Sequence, residues 1–393
     1  MRQVSGPIKE RTVLFISHKA NLYGAERCCL DLILNLPERL KPIVIVPGTG
    51  PFLDIIKKNK IDHYVIHFRG WWHKKFRLLH IPRVFLNLLT ARKILRMLTG
   101  RKIQMVYTNT LYSPIGAFLA YALDVPHLWH THEFVHLNHS DKFDFGPKLS
   151  MRFVNRFSDK IICTSGAHKA DLANYIEPAK INIVHNGVDE KPLSRRSRGA
   201  ENEYSLLMIG SITKNKGHAD AILALKELLG RGVKAKLTIV GNGDNQYVNY
   251  LKALQANCGV ASHVCWEGFR ENADDYIRAA DVLLLCSRFE TFGRVAIDAM
   301  SLGCPVIASN NGGTADIIDV SVNGLTYDHG DYEGLAQKIL MLIHDKELGA
   351  RITENALVTF REQFTTDRYV NNVVSVIDEI MNSTETHAEV KTR

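Results

Sequence analysis

The 393-residue chain has no apolar run approaching the roughly eighteen residues that a helix needs to cross a bilayer, so no membrane-spanning helix is expected. A secretory leader is missing from the reading as well. The apolar stretch 13–17, led by Arg11 and Thr12, is too short and lacks a small-residue cleavage site. A cytoplasmic protein is the expectation. Cysteine is sparse: Cys28, Cys29, Cys163, Cys258, Cys265, Cys286 and Cys304 are odd in number and show neither Cys-x-x-Cys nor zinc-ligand spacing. That argues against a disulfide scaffold or a structural zinc site and for reduced, core-packed thiols. No Asp-x-Asp pair is present to carry a divalent metal. Finally, acid is absent where base is dense. Between Asp62 and Asp124 there is no Asp or Glu but ten Lys or Arg, a charge of +10 against +8 for the whole chain. The remainder is therefore slightly acidic, and the basic interval calls for an anionic partner.

What is present is the composition of a globular protein, 46% apolar and 23% charged, long enough for two domains with their own cores. Short apolar runs at 13–17, 43–46, 64–67, 105–108 and 160–164 alternate with helical patterns at 52–60, 113–123 and 167–175. Strands alternating with helices predict a parallel sheet of the doubly wound type. The polar, aperiodic stretch 191–203 reads as a linker between a domain at 1–190 and a second at 204–367. The second repeats the rhythm, with strands predicted at 205–209, 236–240, 264–267, 282–285 and 306–308. A last helix at 368–383 is expected to pack toward the first domain, and 384–393 to form a disordered tail.

The basic interval breaks the rhythm. Its stretch 69–102 opens with Trp71-Trp72-His73-Lys74-Lys75 and mixes Leu and Ile with Arg92, Lys93 and Arg96. Tryptophan, leucine and cation together suit the surface of an anionic membrane, the alternative being a core-facing helix with a solvated basic side. No nucleic-acid motif accompanies the charge.

Two stretches carry candidate chemistry. One strand ends in His127, His130, His132 and Glu133. Spacing places no third metal ligand beside His130 and His132, and strand C-termini are where open α/β sheets bind ligands, so hydrogen bonding or acid–base work is the preferred reading. The other is 286–308. Glu290 falls in a strand-to-helix loop, Phe292, Gly293 and Arg294 fall at a helix N-terminus, and Asp298 lies a turn further in, ahead of Gly303 and Pro305. Free amides with a carboxylate on either side suit a phosphate-bearing ligand, although an ordinary βα turn fits the same spacing.

Five segments together resemble the retaining, nucleotide-sugar-dependent glycosyltransferases of family 4, which have the GT-B fold. Gly24-Ala-Glu-Arg27 is similar to the family's Gly-Gly-x-Glu-Arg, with Tyr23 for the first glycine. The stretch 126–133 is similar to its strand ending in His-Glu, and 210–217 to its Gly-Arg-Leu-x-x-x-Lys-Gly, with Ser211 for Arg. Glu290 and Asp298 stand at its Glu-x7-Glu, and Gly312-Gly-Thr-Ala-Asp316 at its Gly-Gly-x-x-Glu. The resemblance implies an α/β protein of two Rossmann-like, doubly wound domains facing across a central cleft. It implies that Gly24 and Lys216 approach the donor phosphates, as do the amides of Phe292 and Gly293 with Arg294 beside them. Glu290 then binds sugar hydroxyls, His132 lies near the transferred sugar, and Asp298 holds the ribose. Asp is one methylene shorter than Glu, roughly 1.5 Å of reach.

The expected activity is metal-independent, retaining transfer of a hexosyl or N-acetylhexosaminyl group from a UDP- or GDP-sugar, with no further cofactor. The acceptor would be a glycan or lipid-linked molecule presented at the inner face of the cytoplasmic membrane, as in polysaccharide or glycolipid assembly. A nucleotide-sugar epimerase of the same fold, or an anionic-membrane-binding scaffold that has lost catalysis, are the alternatives.

Overall fold

The computed structural model describes residues 10–73, 80–135, 142–193 and 203–391. The chain divides into two compact units, Met1–His185 with Asp367–Arg393, and Asn186–Thr366.

The first unit runs β1 (Arg11–Ile16), α1 (Gly24–Leu34), β2 (Leu40–Val46), α2 (Pro51–Lys58), β3 (Asp62–Val65), β4 (Trp72–His73), α3 (His80–Met97), β5 (Met105–Asn109) and α4 (Ile115–Leu123). It continues through β6 (His127–His130), β7 (Lys142–Phe143), α5 (Gly146–Arg156), β8 (Lys160–Cys163), α6 (Gly166–Leu172) and β9 (Ile181–Ile183). Seven strands form a parallel sheet in the order β3-β2-β1-β5-β6-β8-β9. Side chains alternate across it, as the two-residue strand period requires. Val13 and Phe15 of β1 enter the core under α1 and α2, while Leu14 and Ile16 enter the core under α3 and α4.

In the second unit β10 (Tyr204–Ile209), α7 (His218–Gly230), β11 (Ala235–Val240), α8 (Asn245–Asn257), β12 (Val264–Gly268), α9 (Ala273–Ala279) and β13 (Val282–Leu285) come first. They are followed by α10 (Arg294–Ser301), β14 (Val306–Ser309), β15 (Leu325–Tyr327), α11 (Tyr332–His344) and α12 (Lys346–Gln363). The six-stranded parallel sheet has the order β12-β11-β10-β13-β14-β15.

A final helix, α13 (Thr366–Lys391), belongs to the first unit. Tyr369, Val370, Val373, Val374, Ile377, Ile380 and Met381 recur every three or four residues and enter the core with α1 and β1. Where the sequence reading placed a disordered tail from 384, the helix continues to Lys391. The segment contains no Gly or Pro, so nothing in the chain stops the helical ladder.

The tryptophan pair needs correcting too. Trp71 is not a membrane-facing residue: it is 4% exposed and lies parallel to Trp129 with ring centroids 6.1 Å apart. Phe143 and Phe153 meet it edge-on, and its indole N–H donates to the Leu111 carbonyl. Lys74, Lys75 and Arg77 lie outside the described residues. The outward side of the basic interval is α3 instead. Ala91, Ile94 and Leu98 turn α3 into the core, which leaves Phe85 (61% exposed), Leu86, Leu88 and Leu89 at the surface with Arg92, Lys93 and Arg96. Among the described residues no helix is long and apolar enough to cross a membrane.

Candidate active site

In both sheets the strand order reverses beside the first strand of the unit, between β1 and β5 and between β10 and β13. The C-terminal ends of the strands at such a reversal are the usual ligand position in an open α/β sheet.

In the first unit β1 leads to the loop of His18 and to Gly24 at the start of α1. A Cβ at Gly24 would meet no atom within 4 Å, so the space before the loop is open. His18 Nε2 lies 3.1 Å from Glu26 Oε1. Burial holds the His18 ring neutral, with its pKa lowered to about 3, and pushes the Glu26 carboxyl up. Across the reversal, Asn109 ends β5 and pairs in register with His130 of β6. Its amide donates to the Ala25 carbonyl over 3.1 Å, and its Oδ1 is 3.0 Å from His132 Nε2. Glu133 Oε2 accepts from the backbone amides of His132 at 3.1 Å and Leu111 at 3.3 Å. Burial raises the Glu133 pKa to about 7 against the pull of those two amides.

The three histidines of β6 and its following loop divide by role. His127 Nδ1–H donates to the Phe157 carbonyl at 2.7 Å, and Nε2 meets the Thr108 hydroxyl at 2.7 Å, so His127 is a satisfied core residue. His130 is fully buried and shares a hydrogen bond with the Tyr107 hydroxyl. His132 is partly exposed, its ring stacked on His130 at 4.3 Å. His136 and His139, whose polar loop reads in the sequence as surface or acceptor-contact positions, lie outside the described residues.

The second unit joins the two loops at its reversal tightly. Asn215 of the loop after β10 clasps Phe289 of the loop after β13: its Nδ2 donates to the Phe289 carbonyl at 2.7 Å, and its Oδ1 accepts from the Phe289 amide at 3.1 Å. The Arg288 amide adds a 2.6 Å bond to the Asn215 carbonyl. The next residue on each side is one of the residues singled out from the sequence. Lys216 Nζ donates to Glu290 Oε2 over 2.6 Å, and the Ser287 hydroxyl donates to the same oxygen over 2.8 Å. Gly217 closes the turn with φ +66, and a Cβ there would sit 1.9 Å from the Cys286 carbonyl oxygen.

The loop after β14 presses on Glu290 from the other side, the Gly313 amide donating to the Glu290 carbonyl at 2.6 Å. Phe292 points into the core, edge-on to Phe364, which leaves its backbone at the start of α10. Gly293 takes φ +99 as the N-cap, and Arg294 is the first helical residue. Asp298 does not stand open: Lys191 Nζ lies 3.3 Å from its Oδ1 and 2.7 Å from Asp274 Oδ1.

The structure therefore brings Lys216 together with Glu290, and arranges Phe292, Gly293 and Arg294 at one helix start with Asp298 a turn beyond. Gly24 and His132 sit in the first unit around a shared Asn109. Sequence reasoning passed over Asn109, Ser287, Asn215 and Lys191. The polar Thr-Asn-Thr end of an apolar strand marks Asn109, and Ser287 stands three residues before Glu290. Nothing local marks Lys191, whose partners lie 83 and 107 residues away.

Two family models match in tandem, Glycosyltransferase Family 4 over residues 23–191 and Glycosyl transferases group 1 over 190–358. The Bacillus anthracis N-acetyl-alpha-D-glucosaminyl L-malate synthase is 27% identical over 59% of this chain, and the match spans 62% of that protein's length. An uncharacterized glycosyltransferase of Methanocaldococcus jannaschii is 28% identical over 88% of this chain and 93% of its own. Among solved structures, Anabaena HepE in complex with UDP and glucose superposes with a TM-score of 0.78 at 22% identity, covering 93% of this chain and 99% of that one. The two domain models match in tandem over residues 23–358, so the chain belongs to the glycosyltransferase family they describe, and its two doubly wound sheets with the superposition on HepE along nearly the whole length give it the GT-B fold.

Proposed function

We propose that the chain moves a hexosyl or N-acetylhexosaminyl group from a UDP- or GDP-sugar, with retention and without a metal, to a lipid-linked or membrane-presented acceptor. The observation that carries this is the Lys216–Glu290 pair at the strand-order reversal of the second unit. It sets a cation suited to a diphosphate against a carboxylate suited to sugar hydroxyls.

On this reading Lys216 and the amides at the start of α10, Phe292, Gly293 and Arg294, hold the diphosphate and stabilise the charge that grows on it as the bond to the sugar C1 breaks. Glu290 accepts from sugar hydroxyls. Asp298, with Lys191 beside it, holds the ribose. In the first unit, Gly24 and His132 are the residues read as substrate contacts. The acceptor oxygen bonds to C1 on the face the diphosphate leaves, and the acceptor's proton passes to the departing phosphate oxygen. Similarity to HepE, which is solved with UDP and with UDP-glucose, favours a uridine donor.

Membrane presentation rests on α3. Its outward face combines Phe85, Leu86 and Leu89 with Arg92, Lys93 and Arg96, and no acid lies between Asp62 and Asp124 to oppose it. That face supports a role in polysaccharide or glycolipid assembly at the inner membrane face.

The experiment is incubation of the protein with labelled UDP- and GDP-sugars and a lipid extract, with and without EDTA. Transfer or slow hydrolysis of one donor, unchanged by EDTA, is expected. Interconversion of the sugar without transfer would identify an epimerase instead, and no binding or turnover of any donor would leave only a membrane scaffold.

A further inference from the structure

Lys191 stands just past Asn186, where the second unit begins, and its side chain reaches two helices of that unit. Nζ lies 2.7 Å from Oδ1 of Asp274, in the first turn of α9, and 3.3 Å from Oδ1 of Asp298, in α10. An ammonium has three protons to donate and accepts nothing, so these contacts leave one proton over. The two bonds are unequal. Asp274 holds the ammonium at charge-assisted distance, whereas the Asp298 contact is long. One cation does not offset two carboxylates, and among the described residues Asp298 Oδ2 has no partner. The Lys191 and Asp298 side chains are 23% and 25% exposed, shielded in part but within reach of a ligand. Asp298 also follows Arg294 by one helical turn, on the same face of the helix whose first residues are read as diphosphate contacts.

We propose that Lys191 is a ribose-binding residue: Asp298 Oδ2 accepts from one ribose hydroxyl, and the remaining Lys191 proton donates to the oxygen of the other. The inference rests on the reading that Asp298 holds the ribose. Each ribose hydroxyl both donates and accepts, while a carboxylate only accepts and an ammonium only donates. A lone glutamate would take both hydroxyl protons on its two oxygens. Asp298 is a methylene shorter and has one oxygen turned to Lys191, so the second hydroxyl is left to the ammonium. Asp274 is the anchor that keeps the ammonium from closing onto Asp298.

The experiment is isothermal calorimetry of the full chain with UDP or GDP, whichever the wild type takes, and with its 2′-deoxy and 3′-deoxy forms. Wild type should bind each deoxy form at least about fivefold more weakly, each having lost a hydrogen bond to a charged group. Lys191→Met removes the donor with little change in length. It should keep one penalty and reduce the other below about twofold. A general loss of positive charge would weaken all three nucleotides alike and leave both penalties standing, so the ratio decides and not the affinity. Lys191→Arg keeps a donor and should restore the second penalty.

Both penalties unchanged in Lys191→Met overturn the proposal, as does a wild-type penalty below about twofold for either hydroxyl. Loss of both penalties together also overturns it, because Lys191 would then only hold Asp298 in place. If Lys191→Met fails to fold, Lys191→Gln, which is uncharged and shorter, is held to the same outcomes. Failure of the functional reading looks different: the wild type would bind no nucleotide at all, and the ribose site would fall with it.

Discussion

Replacing Glu290 by Gln separates its role from that of Lys216, because the two residues should move nucleotide binding in opposite directions. Lys216 Nζ donates to Glu290 Oε2 over 2.6 Å. A phosphate oxygen taking another proton of the same ammonium would stand about 5 Å from the carboxylate. At an effective dielectric of about 20, two like charges at that distance repel by about 3 kcal/mol. The Lys216 side chain is 26% exposed and that of Glu290 12%, so solvent screening reduces the net effect to about 1 kcal/mol. Glu290→Gln should therefore bind UDP or GDP, whichever the wild type takes, about fivefold more tightly. The amide still fits beside Ser287, while turnover of the sugar-bearing donor falls because the hydroxyl acceptor is weakened. Lys216→Met should weaken binding of the same diphosphate by at least as much. Isothermal calorimetry with the bare nucleotide reads the first effect, and donor hydrolysis reads the second. If Glu290→Gln loses diphosphate affinity in step with Lys216→Met, the carboxylate only holds its loop in place and the assignment of Glu290 to the sugar fails.

Other consequences are as direct. Gly217→Ala puts a methyl 1.9 Å from the Cys286 carbonyl at φ +66, and should cost about 3 kcal/mol, read as a melting-temperature drop of about 10 °C; an unchanged melting point would refute the packing argument. Burial lowers the pKa of His127, His168 and His218 from 6.5 to about 4, and that of His18 and His130 to about 3. Below pH 6.5 the unfolded chain takes up protons the folded chain refuses, so the melting temperature should fall steadily from pH 6.5 toward pH 4. Glu133, raised to about 7, acts the other way, its share of stability being full below pH 4.5 and lost as pH rises through 7, and Glu26, also raised by burial, acts in the same sense; two carboxyls do not offset five histidines. Neutralising Arg92, Lys93 and Arg96 should lower binding to vesicles containing anionic lipid, at about 1 kcal/mol per residue, whereas Trp71→Phe should leave it intact. Binding unaffected by the α3 charges would remove the membrane surface from the proposal.

Much of the fold was legible because a doubly wound sheet buries its strands on both faces, leaving short apolar runs such as 13–17 and 282–285 that stand out from amphipathic helices. Helices with mixed patterning were less visible. α5 follows a polar stretch and α12 carries Lys, Glu and Arg through most of its length, so both were passed over. At the site, glycines and acidic residues at loop positions were readable because backbone geometry demands them. Gly217 and Gly293 occupy positive φ, and Gly312 at φ +67 lies against the Glu290 backbone. Partnerships made by folding were not. The Lys191 contacts to Asp274 and Asp298, and the bond from Asn109 to Ala25, join residues 83 to 107 positions apart that no periodicity connects. Trp71 shows the reverse error: beside Lys74 and Lys75 in sequence, it is drawn inward by Trp129, Phe143 and Phe153.

The closing helix sets an order on biosynthesis. Asn186–Thr366 is one continuous segment, whereas the first unit needs both Met1–His185 and α13, whose Tyr369, Val373 and Ile377 fill the core against α1. On the ribosome the second unit can finish folding while the first, though made earlier, still waits for its last layer. Nascent chains arrested before residue 367 should accordingly show a protease-resistant second unit behind a first unit that is still cleaved.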